Sequence, residues 1–491
     1  MNASTGTAIG TVGSIWLRRD AWPFALIALV AFASRIVWFG DPVPDTDEQL
    51  YALIGNGLLH GQLPYVDLWD RKPFGLFALY AAAAAVGGPG PLPYQVMAAL
   101  FVAAGGWCLY ALAKPMAGRA TACGAAMLYP LFAYAYGCLS GQSEVFFVPL
   151  VLAALVLVRD LDRGNANARA AVAMLLGGLA LQIKYTVAPQ CAFLGAIALW
   201  RFRAEPPVRL ALRAAGYALL GLLPTLAVAG LYAVLGHFGD FWFANFVSIF
   251  LREPSVFGRF DPRFVHVLAP MALLCVGGAW AAVRLNPPQP RRDYWLFTGY
   301  GVAVLAGIFL PGTVYIYYFV AFAPCAILLA LPLLDVDGAL RWGPLALVGA
   351  GGIALLNLPK HYADTRQERA DIAAMSRAIA PHVGQDRDCL LVYDGPTDLY
   401  RTTRSCLPSR FVYPDHLNNA LETPALGIDQ TAEVARLLAL RPGAIVTADA
   451  AVTRQNRAAG RLVGRALRDH YRLVNVAILR ARVYRAWARR D

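Results

Sequence analysis

Apolar and polar positions along this chain are gathered into separate blocks. Largely apolar stretches recur near 22–39, 74–88, 94–113, 120–137, 144–158, 170–183, 186–200, 211–235, 266–283, 295–311, 314–333 and 342–357. A helix crossing a bilayer needs about 20 predominantly apolar residues, and most of these blocks approach that length. They predict transmembrane helices. Beyond residue 358 the pattern changes: short apolar runs at 389–393, 444–448 and 472–478 alternate with helical periodicity over 363–383, 429–441 and 453–469. That alternation predicts a small α/β domain over 358–491, following a membrane module over 1–357.

The positive charges decide how many blocks cross. Arg18 and Arg19 place the N-terminus in the cytoplasm, and the weakly apolar stretch 1–20 reads as no cleaved signal peptide but as the lead into an anchoring first span. If every block crossed, the loops carrying Lys114 and Arg119, Arg159, Arg163 and Arg169, and Arg201, Arg203, Arg209 and Arg213 would all face outward. Removing the block at 74–88 returns all three to the cytoplasm, together with Arg284, Arg291, Arg292 and Arg341, so about eleven spans are expected. That block is short for a crossing and ends in Gly-Gly-Pro-Gly-Pro, so it is expected to lie on the outer membrane surface. The segments 40–93, 138–143 and 237–265 then share the outer face with an extracytoplasmic C-terminal domain.

Composition agrees. Of 491 residues, 58 % are hydrophobic and 15 % charged, with a mean hydropathy of +0.49; this excludes a soluble enzyme, a disordered chain and a fibrous one. The net charge of +12 resides mostly in loop arginines, so it speaks for a bilayer and against a nucleic-acid partner. The eight cysteines show no metal-type spacing. Six lie in or beside apolar segments as small hydrophobes, while Cys389 and Cys406 lie in the C-terminal domain, where a disulfide is open to them if that domain is extracytoplasmic.

Candidate chemistry concentrates in the first outer loop. Asp41, Asp45, Asp47 and Glu48 fall within eight residues directly after a span. Asp45 three residues before Glu48 resembles a capping box, and acids suit a helix N-terminus, so a capped interfacial helix over about 46–60 accounts for part of the cluster. Asp47 and Tyr51 share a helix face, where a carboxylate is placed to take a proton from an incoming hydroxyl. The run Trp69-Asp70-Arg71-Lys72-Pro73 offers two cations to a lipid phosphate, or equally an interfacial anchor. Glu144 opens the fourth span at an outer helix N-terminus, and Lys184 interrupts an apolar stretch at an outer turn. Arg252, Arg259 and Arg263 stand among phenylalanines, and Tyr315, Tyr317 and Tyr318 either line the same cavity or form a belt of interfacial aromatics.

The order Asp47-Glu48-x-x-Tyr51, Gly61-x-x-Pro64-Tyr65-x-Asp67 and Asp70-x-Lys72-Pro73 resembles the first outer loop of bacterial glycosyltransferases of the GT-C fold, in the branch related to protein O-mannosyltransferases and to the aminoarabinose transferase that modifies lipid A. The similarity covers roughly 20–335, with Glu144, the Lys184 of Gly-Leu-Ala-Leu-Gln-Ile-Lys and the aromatic loop near 241–263. It implies two outer surface helices and transfer of a sugar, with inversion, from a polyprenyl-phosphate donor such as undecaprenyl phosphate to a cell-envelope acceptor, lipopolysaccharide among them, on the periplasmic face of a bacterial inner membrane. By resemblance Asp47 is the general base, with Asp45 and the adjacent Glu48 competing and Glu144 the second acid. Lys72, Arg71 and Lys184, with an outer-loop arginine such as Arg259, hold the donor phosphate, and Tyr51, Tyr65 and Tyr317 line the substrate. Phe74 stands where the family usually has a second proline, and Glu144 where aspartate is common. No cofactor is implied with certainty and no metal-ligand set is visible, though the acids at 41–48 leave a divalent cation open. The competing reading is a transporter or flippase of a lipid-linked sugar. Such proteins place charges near the bilayer midplane in paired repeats, whereas here the charges gather at the outer boundary.

Overall fold

A computed structural model of the chain describes residues 21–254, 263–335, 358–480 and 482–490. The apolar block expected at 342–357, together with Arg18, Arg19, Arg259 and Arg341, lies outside the described residues.

Helices dominate. They are α1 (Ala21–Ala33), α2 (Thr46–Leu59), α3 (Phe74–Gly87), α4 (Pro91–Ala113), α5 (Arg119–Ala135), α6 (Ser143–Arg159), α7 (Ala166–Leu181), α8 (Ala188–Arg201) and α9 (Pro207–Val234). There follow α10 (Phe238–Leu251), which contains a π turn, then α11 (Arg263–Arg284), α12 (Arg291–Phe309), α13 (Ala323–Leu334) and α14 (Leu358–Ile379). Among the described residues, α4 and α9 are long and apolar enough to cross a membrane, while α1, α3, α7 and α13 are shorter apolar helices. The exposed face of α9 is apolar, with Val208, Leu212, Leu219, Leu226 and Val234 all open to the surroundings. A soluble surface would not leave such a stripe uncovered.

The bundle is built from neighbours in sequence: α4 packs on α5 and α6, α6 on α7, α7 on α9, and α1 on both α4 and α5. The helices α2 and α3 form an antechamber beside it. Asp45 caps α2 by accepting from the Asp47 N–H at 2.9 Å. Pro73 sets the start of α3, and Gly88 ends it at φ +87°, a conformation that glycine adopts freely. The two helices touch at Gly55, where a Cβ would lie 2.8 Å from the Ala81 nitrogen and 2.8 Å from the Tyr80 Cβ.

The C-terminal part contains a four-stranded sheet of order β1 (Leu390–Val392), β2 (Ala444–Ala448), β4 (Arg482–Arg489), β3 (Tyr471–Leu479). The pair β1–β2 is parallel, and β2–β4 and β3–β4 are antiparallel. The helices α15 (Leu399–Thr403), α16 (Pro414–Asn418), α17 (Gln430–Ala439) and α18 (Arg457–His470) complete it. Three strands and three helices stand where the sequence pattern puts them. The strand β4 was not anticipated, because its inward positions Tyr484, Ala486 and Ala488 alternate with Arg485, Trp487 and Arg489 and read as weakly apolar. Cys389 and Cys406 are joined by a disulfide.

Trp69 is not an interfacial anchor. It is 2 % exposed and packs with Leu391, Phe411, Leu417 and Val434 in the C-terminal core, and its backbone N–H donates to the Arg410 carbonyl at 2.9 Å. The loop between α2 and α3 is thereby built into the C-terminal fold.

Candidate active site

A cavity of about 400 Å³ opens where six stretches of chain converge. The start of α2 brings Asp45, Asp47 and Tyr51, and the turn before α3 brings Asp70, Arg71 and Lys72. Lys184 and Tyr185 arrive from the turn after α7, with Arg252 after α10 and Tyr315, Tyr317 and Tyr318 before α13. The sixth stretch is C-terminal and contributes Tyr413, Asp415, His416 and Glu422.

The four acids at 41–48 each meet a different donor. Asp41 is fully buried and accepts from the Val43 N–H at 3.1 Å, and burial pushes its carboxyl up to about 6. Asp45 is spent on the α2 cap, and burial together with neighbouring Asp47 raises it to about 6. Glu48 does not turn back to close a capping box. It crosses to the 140–143 turn, where it accepts from the Gly141 N–H at 2.6 Å, and burial followed by Asp45 holds it well above the usual carboxylate range. A carboxylate removed from water is drawn to the strongest buried donor on offer, and a backbone amide in a tight turn outcompetes a helix end already capped. Asp47 lines the cavity with both oxygens hydrogen-bonded by tyrosines: one accepts from the Tyr413 hydroxyl at 2.8 Å, the other from the Tyr51 hydroxyl at 3.2 Å. Among the described residues no group of three or more His, Cys, Asp or Glu side chains is placed to hold a metal ion.

The cations are arranged more tightly. Lys72 has its ammonium 5.9 Å from the Tyr51 ring centroid and makes no ion pair among the described residues. Burial acts to lower its affinity for a proton, but Asp47, Tyr318, Asp70 and Glu144 outweigh that and hold it above the ordinary lysine value, so it stays charged. Lys184 is ion-paired to the buried Glu144 and lies 3.7 Å from the Tyr318 ring centroid. Arg71 and Arg252 are both bound by one carboxylate, that of Glu422, the second at 2.6 Å. Burial works to raise Glu422, yet these two guanidiniums hold it below the usual range. Arg252 also donates to the Tyr315 hydroxyl at 3.4 Å.

Of the residues singled out from sequence, Asp45, Asp47, Tyr51, Arg71, Lys72, Lys184 and Tyr317 line this cavity. Glu48 and Glu144 stand behind it, each holding a lining element in place. Tyr65 does not reach it. At φ +71° and 1 % exposed, it packs among Phe77, Tyr232 and Phe241, and its hydroxyl donates to the Lys72 carbonyl at 2.9 Å, so it positions the lysine backbone. Tyr413, Asp415, His416 and Glu422 were missed. They lie some 370 residues from the loop they complete, and no spacing rule reaches that far.

A family model described as dolichyl-phosphate-mannose-protein mannosyltransferase matches residues 71–229. The search of curated proteins returned no match. Among solved structures, the chain is similar to ArnT from Cupriavidus metallidurans bound to undecaprenyl phosphate, with 15 % identity and a TM-score of 0.62 over 95 % of this chain and 98 % of that one. It is similar as well to the apo state of the same protein, with 14 % identity and a TM-score of 0.59 over 97 % and 98 %. The chain has the GT-C fold of these structures, and the match to the mannosyltransferase model is confined to residues 71–229.

Proposed function

We propose that this protein is an inverting glycosyltransferase that moves a sugar from a polyprenyl-phosphate donor to a hydroxyl of a cell-envelope acceptor. The observation that carries the reading is the pairing, in one cavity, of a carboxylate held by two tyrosine hydroxyls with a lysine that has no ion-pair partner of its own among the described residues. Asp47 takes the proton of the acceptor hydroxyl as its oxygen attacks the anomeric carbon. The bond from that carbon to the phosphate oxygen breaks with its electron pair, and the polyprenyl phosphate leaves carrying the added negative charge. Lys72, Lys184 and Arg252 surround the place where that charge develops, and fixed cations in a water-poor site stabilise it without reorganising. Tyr315, Tyr317 and Tyr318 offer hydroxyls to the same region. The undecaprenyl phosphate bound to the similar ArnT is the leaving group such a reaction would release.

The surroundings fit an extracytoplasmic site. The roughly eleven spans and inside N-terminus read from the sequence would put the first loop and residues 358–491 on the periplasmic face of an inner membrane, a reading supported by the Cys389–Cys406 disulfide, which suits an oxidising compartment.

The test uses purified protein in lipid bilayers, a panel of polyprenyl-phosphate sugars and an extract of envelope acceptors, with release of free polyprenyl phosphate followed by mass spectrometry. Acceptor-dependent release by the wild type and its loss by at least a thousandfold in a folded Asp47→Asn variant are expected. Release that persists in the variant moves the base to Asp45. Lipid-linked sugar that crosses the bilayer without being consumed replaces the transferase with a flippase.

A further inference from the structure

A second cavity, of about 630 Å³, shares no lining residue with the first. It lies between Trp38, the end of α5 with Tyr134, residues 137–139, one face of α14, and the tip of the β3–β4 hairpin at Ile478 and Arg480. His361, Asp364, Thr365 and Glu368 on α14 are spaced to share one helix face, and all four line the cavity. That face is fixed in place. Thr365 and Arg369 donate to the Val37 carbonyl at 3.3 and 2.8 Å, and Glu368 accepts from the Arg480 N–H at 3.0 Å.

Three rings form a wall: Trp38 is 5.7 Å from His361 and 5.7 Å from Tyr134, which is 6.2 Å from His361. Beside it stand the carboxylates of Asp364 and Glu368, and on the hairpin the Arg480 guanidinium. Neither Asp364 nor Arg480 has an ion-pair partner among the described residues. Aromatic faces next to carboxylates recognise an ammonium group, and a guanidinium recognises a phosphate. The rim is open and partly apolar, with Ile478 at 57 % exposure, and Trp38 closely follows the apolar helix α1. A purely anionic headgroup would meet two carboxylates here, and a bare sugar would leave Arg480 unpaired.

We propose that this cavity binds the phosphoethanolamine headgroup of a membrane phospholipid, with the ammonium between the Trp38, Tyr134 and His361 rings and the Asp364 and Glu368 carboxylates, and the phosphate on Arg480. The proposal does not rest on the transferase reading, since no residue of the first cavity takes part.

The experiment is native mass spectrometry of the full chain, delipidated in detergent and titrated with phosphatidylethanolamine or phosphatidylglycerol of identical acyl chains. The wild type is expected to bind phosphatidylethanolamine at least tenfold more tightly. An Asp364→Asn/Glu368→Gln variant is expected to lose the preference, and Arg480→Gln to weaken both lipids, with unchanged melting temperatures as the check on folding. Equal binding of the two lipids by the wild type overturns the proposal without need of any variant. A preference that survives in the double variant overturns it as well, because the selective site then lies elsewhere.

Discussion

Replacing Glu422 by glutamine removes one negative charge from between two guanidiniums, and the structure sets the size of the effect. The Glu422 side chain is 5 % exposed, against 14 % for Arg71 and 21 % for Arg252, so all three are largely out of water. A charge pair in contact at an effective dielectric near 20 is worth about 4 kcal/mol before desolvation. Removing one partner of a buried pair typically costs about 3–5 kcal/mol, because the other charge is stranded. Here two cations are stranded, but both keep some water, which places the expected loss near the lower end, at about 3 kcal/mol. At about 2 °C per kcal/mol for a large chain, the melting temperature should fall by ~6 °C. The double variant Glu422→Gln/Arg252→Gln removes one stranded guanidinium and should recover about 1–2 kcal/mol relative to additivity. The pH dependence has a definite sign. The folded pKa of Glu422 is depressed below its ordinary 4.5, so its contribution is fully present above that value and is lost as the pH falls through the folded pKa. The gap between wild type and Glu422→Gln should therefore stay constant from neutrality down to about pH 5 and close below it. A loss under about 1 kcal/mol, strict additivity in the double variant, or a gap that widens on acidification would refute the view that this carboxylate ties the C-terminal fold to the cavity.

Other outcomes follow from the same geometry. Tyr413→Phe removes a 2.8 Å hydrogen bond to the Asp47 carboxylate; at about 1.5–3 kcal/mol for a bond to a charged group, kcat should drop roughly tenfold to a hundredfold with the donor KM little changed, as steady-state kinetics will show. Burial holds the His416 imidazole down at about 3, so the unfolded chain binds the extra proton and stability is lost as pH falls from about 6.5, by up to about 1.4 kcal/mol per pH unit. Asp41, Asp45 and Asp415, raised to about 6, act in the opposite sense over the same range, so the check is the difference in denaturation between wild type and His416→Gln, which should shrink on acidification. Gly55→Ala pushes a methyl group against the α3 backbone and should cost about 1–3 kcal/mol, read as a lowered melting temperature with α2 loosened from α3.

The sequence alone determined whatever depends on neighbours along the chain. The apolar blocks announce α4, α7, α9 and most of the bundle, because a helix facing lipid must be apolar over its length. The short block ending in Gly-Gly-Pro-Gly-Pro announces α3 almost to the residue. The i, i+4 spacing of Asp47 and Tyr51 became a hydrogen bond, and Lys72 and Lys184 line the cavity, since charges set into apolar sequence have few places to go. Only the tertiary structure decided which partner each of the adjacent acids takes, because that depends on donors delivered from elsewhere: Gly141 for Glu48, the helix end for Asp45, and Tyr413 for Asp47. It also decided that Trp69 belongs to the C-terminal core, and that Glu422 closes on Arg71 and Arg252. The physical reason is common to these cases. Periodicity specifies which face of an element is buried, whereas a buried polar group is satisfied by whichever partner the packing of distant elements brings within about 3 Å, and that partner leaves no trace in the local pattern.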